Sequence, residues 1–238
     1  MNRTKNATYA LYAFYIISVL NLLEQVVQTG WLNLVTKPFL MITLLFYYLF
    51  SKSEKTSPLS KLIIGAMTFS WIGDILLMLQ GQISGIFIFG LAAFLIAHIC
   101  YIFGFRKARF DDPGEINKSF VQTRIVFLVF VGGAIIYMLY PGLEEMMIPV
   151  IFYTIVIIAM GITALLRRGW TRDKSFIMTY SGALLFIMSD ALIGINKFMN
   201  PIVQAPLLIM ATYISAQLLI VKGILIHEKE MVEPEKFN

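Results

Sequence analysis

Long apolar runs separated by short polar segments set the pattern of this chain. Eight such runs fall at about 8–23, 32–50, 61–80, 83–104, 123–140, 146–166, 175–195 and 204–226. Each is close to the ~20 residues that an α-helix needs to cross the hydrocarbon core of a bilayer. Their apolar residues are continuous rather than alternating, and lipid offers backbone groups no partner, so they predict helices and not strands. The predicted fold is all-α: one polytopic membrane domain of eight transmembrane helices over 1–238. The longest polar connection, about 105–122, is too short for a soluble domain, which leaves function to the membrane region itself. The first run follows Arg3 and Lys5, as in a signal peptide, but no small-x-small cleavage pattern follows it. It reads as a retained first helix.

Composition agrees with that pattern. Hydrophobic residues make up 58% of the chain and charged residues only 14%, whereas a soluble domain carries about 25% charged residues. Mean hydropathy is +0.78. With eight spans, the termini and the connections near 51–60, 105–122 and 167–174 share one side. That side holds sixteen lysines and arginines, among them Arg3, Lys5, Lys52, Lys55, Arg106, Arg109, Arg167, Arg172 and Lys236, against Lys197 alone on the other. By the positive-inside rule both termini are expected in the cytoplasm, with a bacterial inner membrane as the expected location. The same asymmetry accounts for the net charge of +5, so nucleic acid is not among the expected partners. Cys100 is the one cysteine, which excludes an intramolecular disulfide and a cysteine metal cluster.

A faint repeat runs through the chain. With Asp74 laid over Asp190, "IGDILL" at 72–77 matches "MSDALI" at 188–193. In the helices that follow, "FLIAHICYIFG" at 94–104 lies over "YISAQLLIVKG" at 213–223 and sets His98 against Gln217. The pattern suggests a parallel duplication of two four-helix halves, with the aspartates at equivalent places.

Those two aspartates are the most informative residues. Asp74 sits within "MTFSWIGDILLMLQG" and Asp190 within "GALLFIMSDALIGI". An acid within a span costs ~2.5–3.5 kcal/mol even on the insertion scale, and its short side chain cannot snorkel far, so both are read as functional. Lys37, in "TKPFLMI", is expected at a similar depth, roughly 8–9 Å below the outer ends of the runs at 1.5 Å per residue. Tyr153 and Tyr213 come slightly deeper. Each of these has a bland alternative: Lys37 as a snorkelling interfacial cation, the tyrosines as packing or interfacial aromatics. His98 lies toward the other half of the membrane, where a hydrogen bond between helices is its default role.

If Asp74, Asp190 and Lys37 share a cavity, two carboxylates in a poorly hydrated site resist double ionisation, and the lysine offsets one charge. The result is a proton donor beside an anion. Such a pair suits cleavage of an acid-labile bond, proton movement in a transporter, or activation of water in a protease. His98 and His227 are too few and too far apart in depth for a histidine metal site, and no metal or other cofactor is expected.

"TKP", "WIGDILLM", the "AH" of the fourth run, "SDALIGI" and "TYISAQLLI", in this order and spacing, resemble the YhhN family, which includes the mammalian lysoplasmalogenases and many bacterial relatives. The likeness covers nearly the whole chain. It implies hydrolysis of the vinyl ether bond of a lysoplasmalogen, giving a fatty aldehyde and a glycerophospho-base such as glycerophosphoethanolamine. It also implies that Asp74 and Asp190 are the catalytic pair. Lys37, Tyr153, Tyr213, Gln217 and His98 are then candidates for charge tuning or for binding a lysophospholipid. Protonation of the vinyl ether β-carbon would generate an oxocarbenium ion, and the second carboxylate would stabilise it.

Two rivals remain at this stage. An intramembrane aspartyl protease would need the Gly-x-Gly-Asp signature, but position 71 is Trp71, and "QAPLL" at 204–208 is not the Pro-Ala-Leu element. A small-molecule or proton-coupled transporter is favoured by the repeat and the buried charges. It is weakened by the lack of Gly/Pro-broken helices at matched positions.

Overall fold

The structure is a computed structural model that describes residues 2–53, 57–83, 85–199 and 201–232. Lys55 and Lys236, two of the basic residues behind the expected orientation, lie outside the described residues. Eight α-helices follow one another: α1 (Asn2–Val27), α2 (Trp31–Ser51), α3 (Pro58–Met78), α4 (Ile86–Lys107), α5 (Lys118–Leu139), α6 (Met147–Leu165), α7 (Asp173–Phe198) and α8 (Ala205–Val232). All eight are long and apolar enough to cross a membrane, and the described residues contain no strand, only an isolated bridge between Arg168 and Thr171. The chain is an all-α, multi-pass integral membrane protein.

Every predicted run contains a helix, but several helices outlast their run. α1 begins at Asn2, α7 continues to Phe198 and α8 to Val232. An apolar run marks what lies in lipid, whereas a helix continues for as long as its backbone bonds are made. Where a start is sharp, a side chain sets it. Ser57 accepts from the Ser60 nitrogen at 3.1 Å, and the Ser60 hydroxyl accepts from the Ser57 nitrogen at 2.9 Å, a reciprocal cap for α3. Asn117 accepts from the Phe120 nitrogen at 2.9 Å and so starts α5.

The described residues form two compact units, Met1–Tyr101 and Ile102–Asn238, which divide within α4. In the first unit, α1 and α2 form a close hairpin. Glu24 is buried at its turn and accepts from the Thr29 hydroxyl and the Gly30 nitrogen, both at 2.5 Å. Asn21 donates to Thr36 at 2.9 Å across the same pair. α3 packs on α2, and α4 reaches α3 where the Phe94 ring lies over Gly73.

In the second unit the closest pair is α7 and α8. Glycine permits that approach. A Cβ at Gly182 would come within 2.8 Å of the Ala216 carbonyl oxygen, and one at Gly223 within 2.8 Å of the Thr179 nitrogen. Without a hydrophobic force between helices in lipid, small residues at such crossings supply the packing. α6 packs on both α5 and α7.

Arg167, which the sequence places among loop cations, is fully buried. Its Nε donates to the Ala108 carbonyl at 2.9 Å and its Nη2 to the Ser175 hydroxyl at 2.9 Å. Ser175 passes the link on to the Gly223 carbonyl at 2.8 Å. One guanidinium thus joins the end of α4, the start of α7 and the body of α8. Burial first, then Arg109, pushes its pKa down to about 9 against the opposing pull of Glu230, so it stays a cation at neutral pH.

Candidate functional site

In the first unit the site is built around Asp74, four residues before the end of α3 and only 3% exposed. Three residues earlier on α3, Trp71 shares its side of the helix. The Trp71 indole N–H donates to the Pro38 carbonyl at 3.0 Å and fastens α3 to α2. Pro38 lies inside α2 and contributes no N–H to the helix. Its neighbour Lys37, partly buried, stands within electrostatic reach of Asp74. An ammonium beside a carboxylate offsets part of what each charge costs when buried alone. On the other side of α3, Gly73 leaves room for Phe94: a Cβ there would sit 2.6 Å from the ring. His98, fully buried, is one turn further along α4.

In the second unit the Tyr153 hydroxyl, on α6, donates to Asp190 Oδ2 on α7. Tyr153 is buried and Asp190 partly so. Ser189 donates to the Ile209 carbonyl at 3.2 Å and ties this part of α7 to α8. On α8, Tyr213 is buried edge-on to Phe186, with ring centroids 5.5 Å apart and an angle of 87°. Gln217, fully buried, donates to the Tyr213 hydroxyl at 3.4 Å.

Three pairings thus stand out among the seven candidate residues: Lys37 with Asp74, Tyr153 with Asp190, and Tyr213 with Gln217. The first offers a carboxylate with a cation beside it, the second a carboxyl group with a phenol donor. Both combinations govern where a proton resides. Because α7 runs on to Phe198, Asp190 lies eight residues from its helix end, further than the apolar run implies, and Asp74 lies four from its own. Among the described residues no three His, Cys, Asp or Glu side chains converge.

In the sequence Trp71 stands out only as a mismatch to a protease motif; its role as the strap between α2 and α3 emerges with the fold. Its spacing of three from Asp74, with an indole donor free to leave its own helix, was the available signal.

The YhhN family pattern matches residues 32–224, a span that contains every candidate residue. The chain is 34% identical over 166 residues to a lysoplasmalogenase of Mycobacterium bovis, covering 68% of this chain and 59% of the relative. It is 32% identical over 163 residues to the human lysoplasmalogenase TMEM86B, covering 68% and 62%. It is 31% identical over 189 residues to the bovine lysoplasmalogenase TMEM86A, covering 77% and 72%. The chain therefore spans about three-fifths of the length of the first two relatives. No solved structure matches it.

Proposed function

This chain belongs to the YhhN family, and we propose that it is a membrane hydrolase that cleaves the vinyl ether bond of a lysoplasmalogen. The products are a fatty aldehyde and a glycerophospho-base. Relatives named lysoplasmalogenase support the reaction class. The observation that carries the reading is that each intramembrane carboxylate has a partner able to control a proton. Asp74 has Lys37 within electrostatic reach, and Asp190 accepts from Tyr153.

Asp74 and Asp190 act in this reading as one coupled acid–base system. The protonated member gives its proton to the β-carbon of the vinyl ether, and the double-bond electrons move to leave an oxocarbenium ion. The ionised member stabilises that cation in a low-dielectric site. Water adds to the cation and loses a proton, and the hemiacetal collapses to aldehyde and alcohol. Lys37 offsets the charge of the pair without bonding to substrate. The basic residues on one side of the helices support an orientation with both termini in the cytoplasm of a bacterial cell.

The test is incubation of the purified full chain with a lysoplasmalogen and with its saturated ether analogue. Aldehyde is expected from the first only. In heavy water the carbon that was the β-position should carry one solvent deuterium, with a normal solvent isotope effect on turnover. Aldehyde lacking that deuterium before any exchange would overturn the mechanism. Transport into proteoliposomes without turnover would favour the transporter instead.

The hydrogen bond to Asp190 makes a narrower point. Tyr153→Phe keeps the ring and removes the donor, and is expected to lower kcat about tenfold, the scale of one hydrogen bond to a charged group. An unchanged kcat would remove Tyr153 from the site.

A further inference from the structure

We infer that a ladder of polar side chains between α1 and α2 binds water and carries it to Lys37 and Asp74 for hydrolysis. This rests on the hydrolase reading, because a reaction that consumes one water per turnover needs a supply of it within the membrane.

The ladder begins at the exposed turn of Thr29 and Gly30, whose hydroxyl and N–H Glu24 accepts. Below it come Gln25 and Asn33, both partly buried, with Gln25 Nε2 donating to Asn33 Oδ1 at 3.5 Å. Deeper still are Asn21 and Thr36, 0% and 3% exposed. The next residue of α2 is Lys37, the cation within reach of Asp74. Exposure therefore falls in steps from the turn to the candidate site, along the seam of one hairpin. Beyond Thr36 the buried Phe14, Leu40 and Leu44 make the seam apolar. Ser18, the polar residue there, turns its hydroxyl to the Phe14 carbonyl of its own helix at 2.7 Å. The ladder ends at the level of Lys37.

The amide of Asn21 shows that the ladder does more than hold two helices together. The Thr36 hydroxyl donates its one hydrogen to the Leu32 carbonyl at 2.8 Å, so toward Asn21, at 2.9 Å, it can only accept. That sets the Asn21 NH2 against Thr36, and the same group also donates to Asn33 Oδ1 at 3.3 Å. Asn21 Oδ1 is left without a donor among the described residues, on a fully buried side chain. A clamp between helices is complete with the two N–H bonds and gains nothing from a desolvated carbonyl oxygen. A water molecule that donates to Oδ1 removes that cost, and buried waters settle on groups of this kind. In the reaction such a water bonds through its oxygen to the oxocarbenium carbon. Its proton passes to the ionised carboxylate, and the ladder refills from the turn.

Hydroxyl-radical footprinting of the detergent-purified full chain tests the site without turnover, since radicals generated from ordered water label the side chains beside it. Leu40, one turn from Thr36 on the same face of α2, should be labelled several-fold more than Leu44, although both are buried. Equal labelling of the two leucines in the parent would overturn the inference, whatever a variant does to folding. Asn21→Leu should bring Leu40 down to the level of Leu44, and labelling that persists would overturn the role of Asn21. The supply of water is read in heavy water, on lysoplasmalogen recovered part-way through turnover. In the parent, capture by water outruns return of the proton, and the recovered substrate should carry no deuterium. In Asn21→Leu the cation should give a β-proton back before water arrives. The recovered substrate should then gain deuterium at the β-carbon, while kcat falls about tenfold, the scale of one hydrogen bond. A fall in kcat without that deuterium would reduce Asn21 to a clamp and overturn the supply role. A parent chain with labelled Leu40 that forms no aldehyde would overturn the hydrolase reading, and the hydrolytic use of the water with it, while supporting the water site.

Discussion

Asp74→Asn and Asp190→Asn are each expected to lower vinyl ether hydrolysis by about 10²–10⁴-fold, the range for loss of a positioned general acid or its partner. The substitution keeps volume and planarity, and replaces a group that can hold or release a proton with one that does neither. Neither change should unfold the chain. In the first variant the bond from Trp71 to the Pro38 carbonyl would remain, since it does not involve the carboxylate. Position 190 would keep an oxygen able to accept from Tyr153. The measurement is kcat on lysoplasmalogen, with thermal unfolding as the control for fold. On the proposed mechanism, in which the two acids act as a unit, the double variant should be little worse than the poorer single one. Full activity in both single variants would end the paired-acid account. A loss of activity that tracks a loss of fold would reduce the acids to structural groups.

Arg167→Met should destabilise the second unit by about 3 kcal/mol or more. It removes two hydrogen bonds from a charged donor, each of about 1.5–3 kcal/mol, and replaces them with an apolar chain of comparable length. The bonds to Ala108 and Ser175 hold the end of α4 and the start of α7 together, and Ser175 carries the constraint to Gly223. Arg167→Lys should recover only part of the loss, because an ammonium lacks the planar fork that reaches two acceptors in different directions. The check is thermal unfolding of the three proteins in one detergent. A methionine variant as stable as the parent would show that the buried guanidinium is not a tertiary link.

Much of the architecture is written locally. Lipid cannot satisfy a backbone group, so a continuous apolar run of about 20 residues has one outcome, and the eight helices follow from hydropathy alone. Local chemistry also marks some starts, since Ser57 and Asn117 cap helices whose first residues they precede. The cost of an acid within a span likewise made Asp74 and Asp190 conspicuous before any fold was known.

What the sequence did not contain was the set of partners. Asp190 meets Tyr153 across 37 positions of chain, and Trp71 reaches the Pro38 carbonyl across 33. Arg167 looks like any loop cation until α4, α7 and α8 converge on it. Residue type and spacing fix which side of a helix a group occupies, because those follow the 3.6-residue turn. They do not fix which other helix faces it. That is decided by how closely helices approach, as where Gly182 and Gly223 let α7 and α8 meet. In lipid the choice rests on packing and on the pairing of polar groups, since apolar surface gains little by leaving one apolar surrounding for another. Helices, candidate acids and charge asymmetry were therefore determined by the chain itself, while the partner of each buried polar group was decided only when the helices packed.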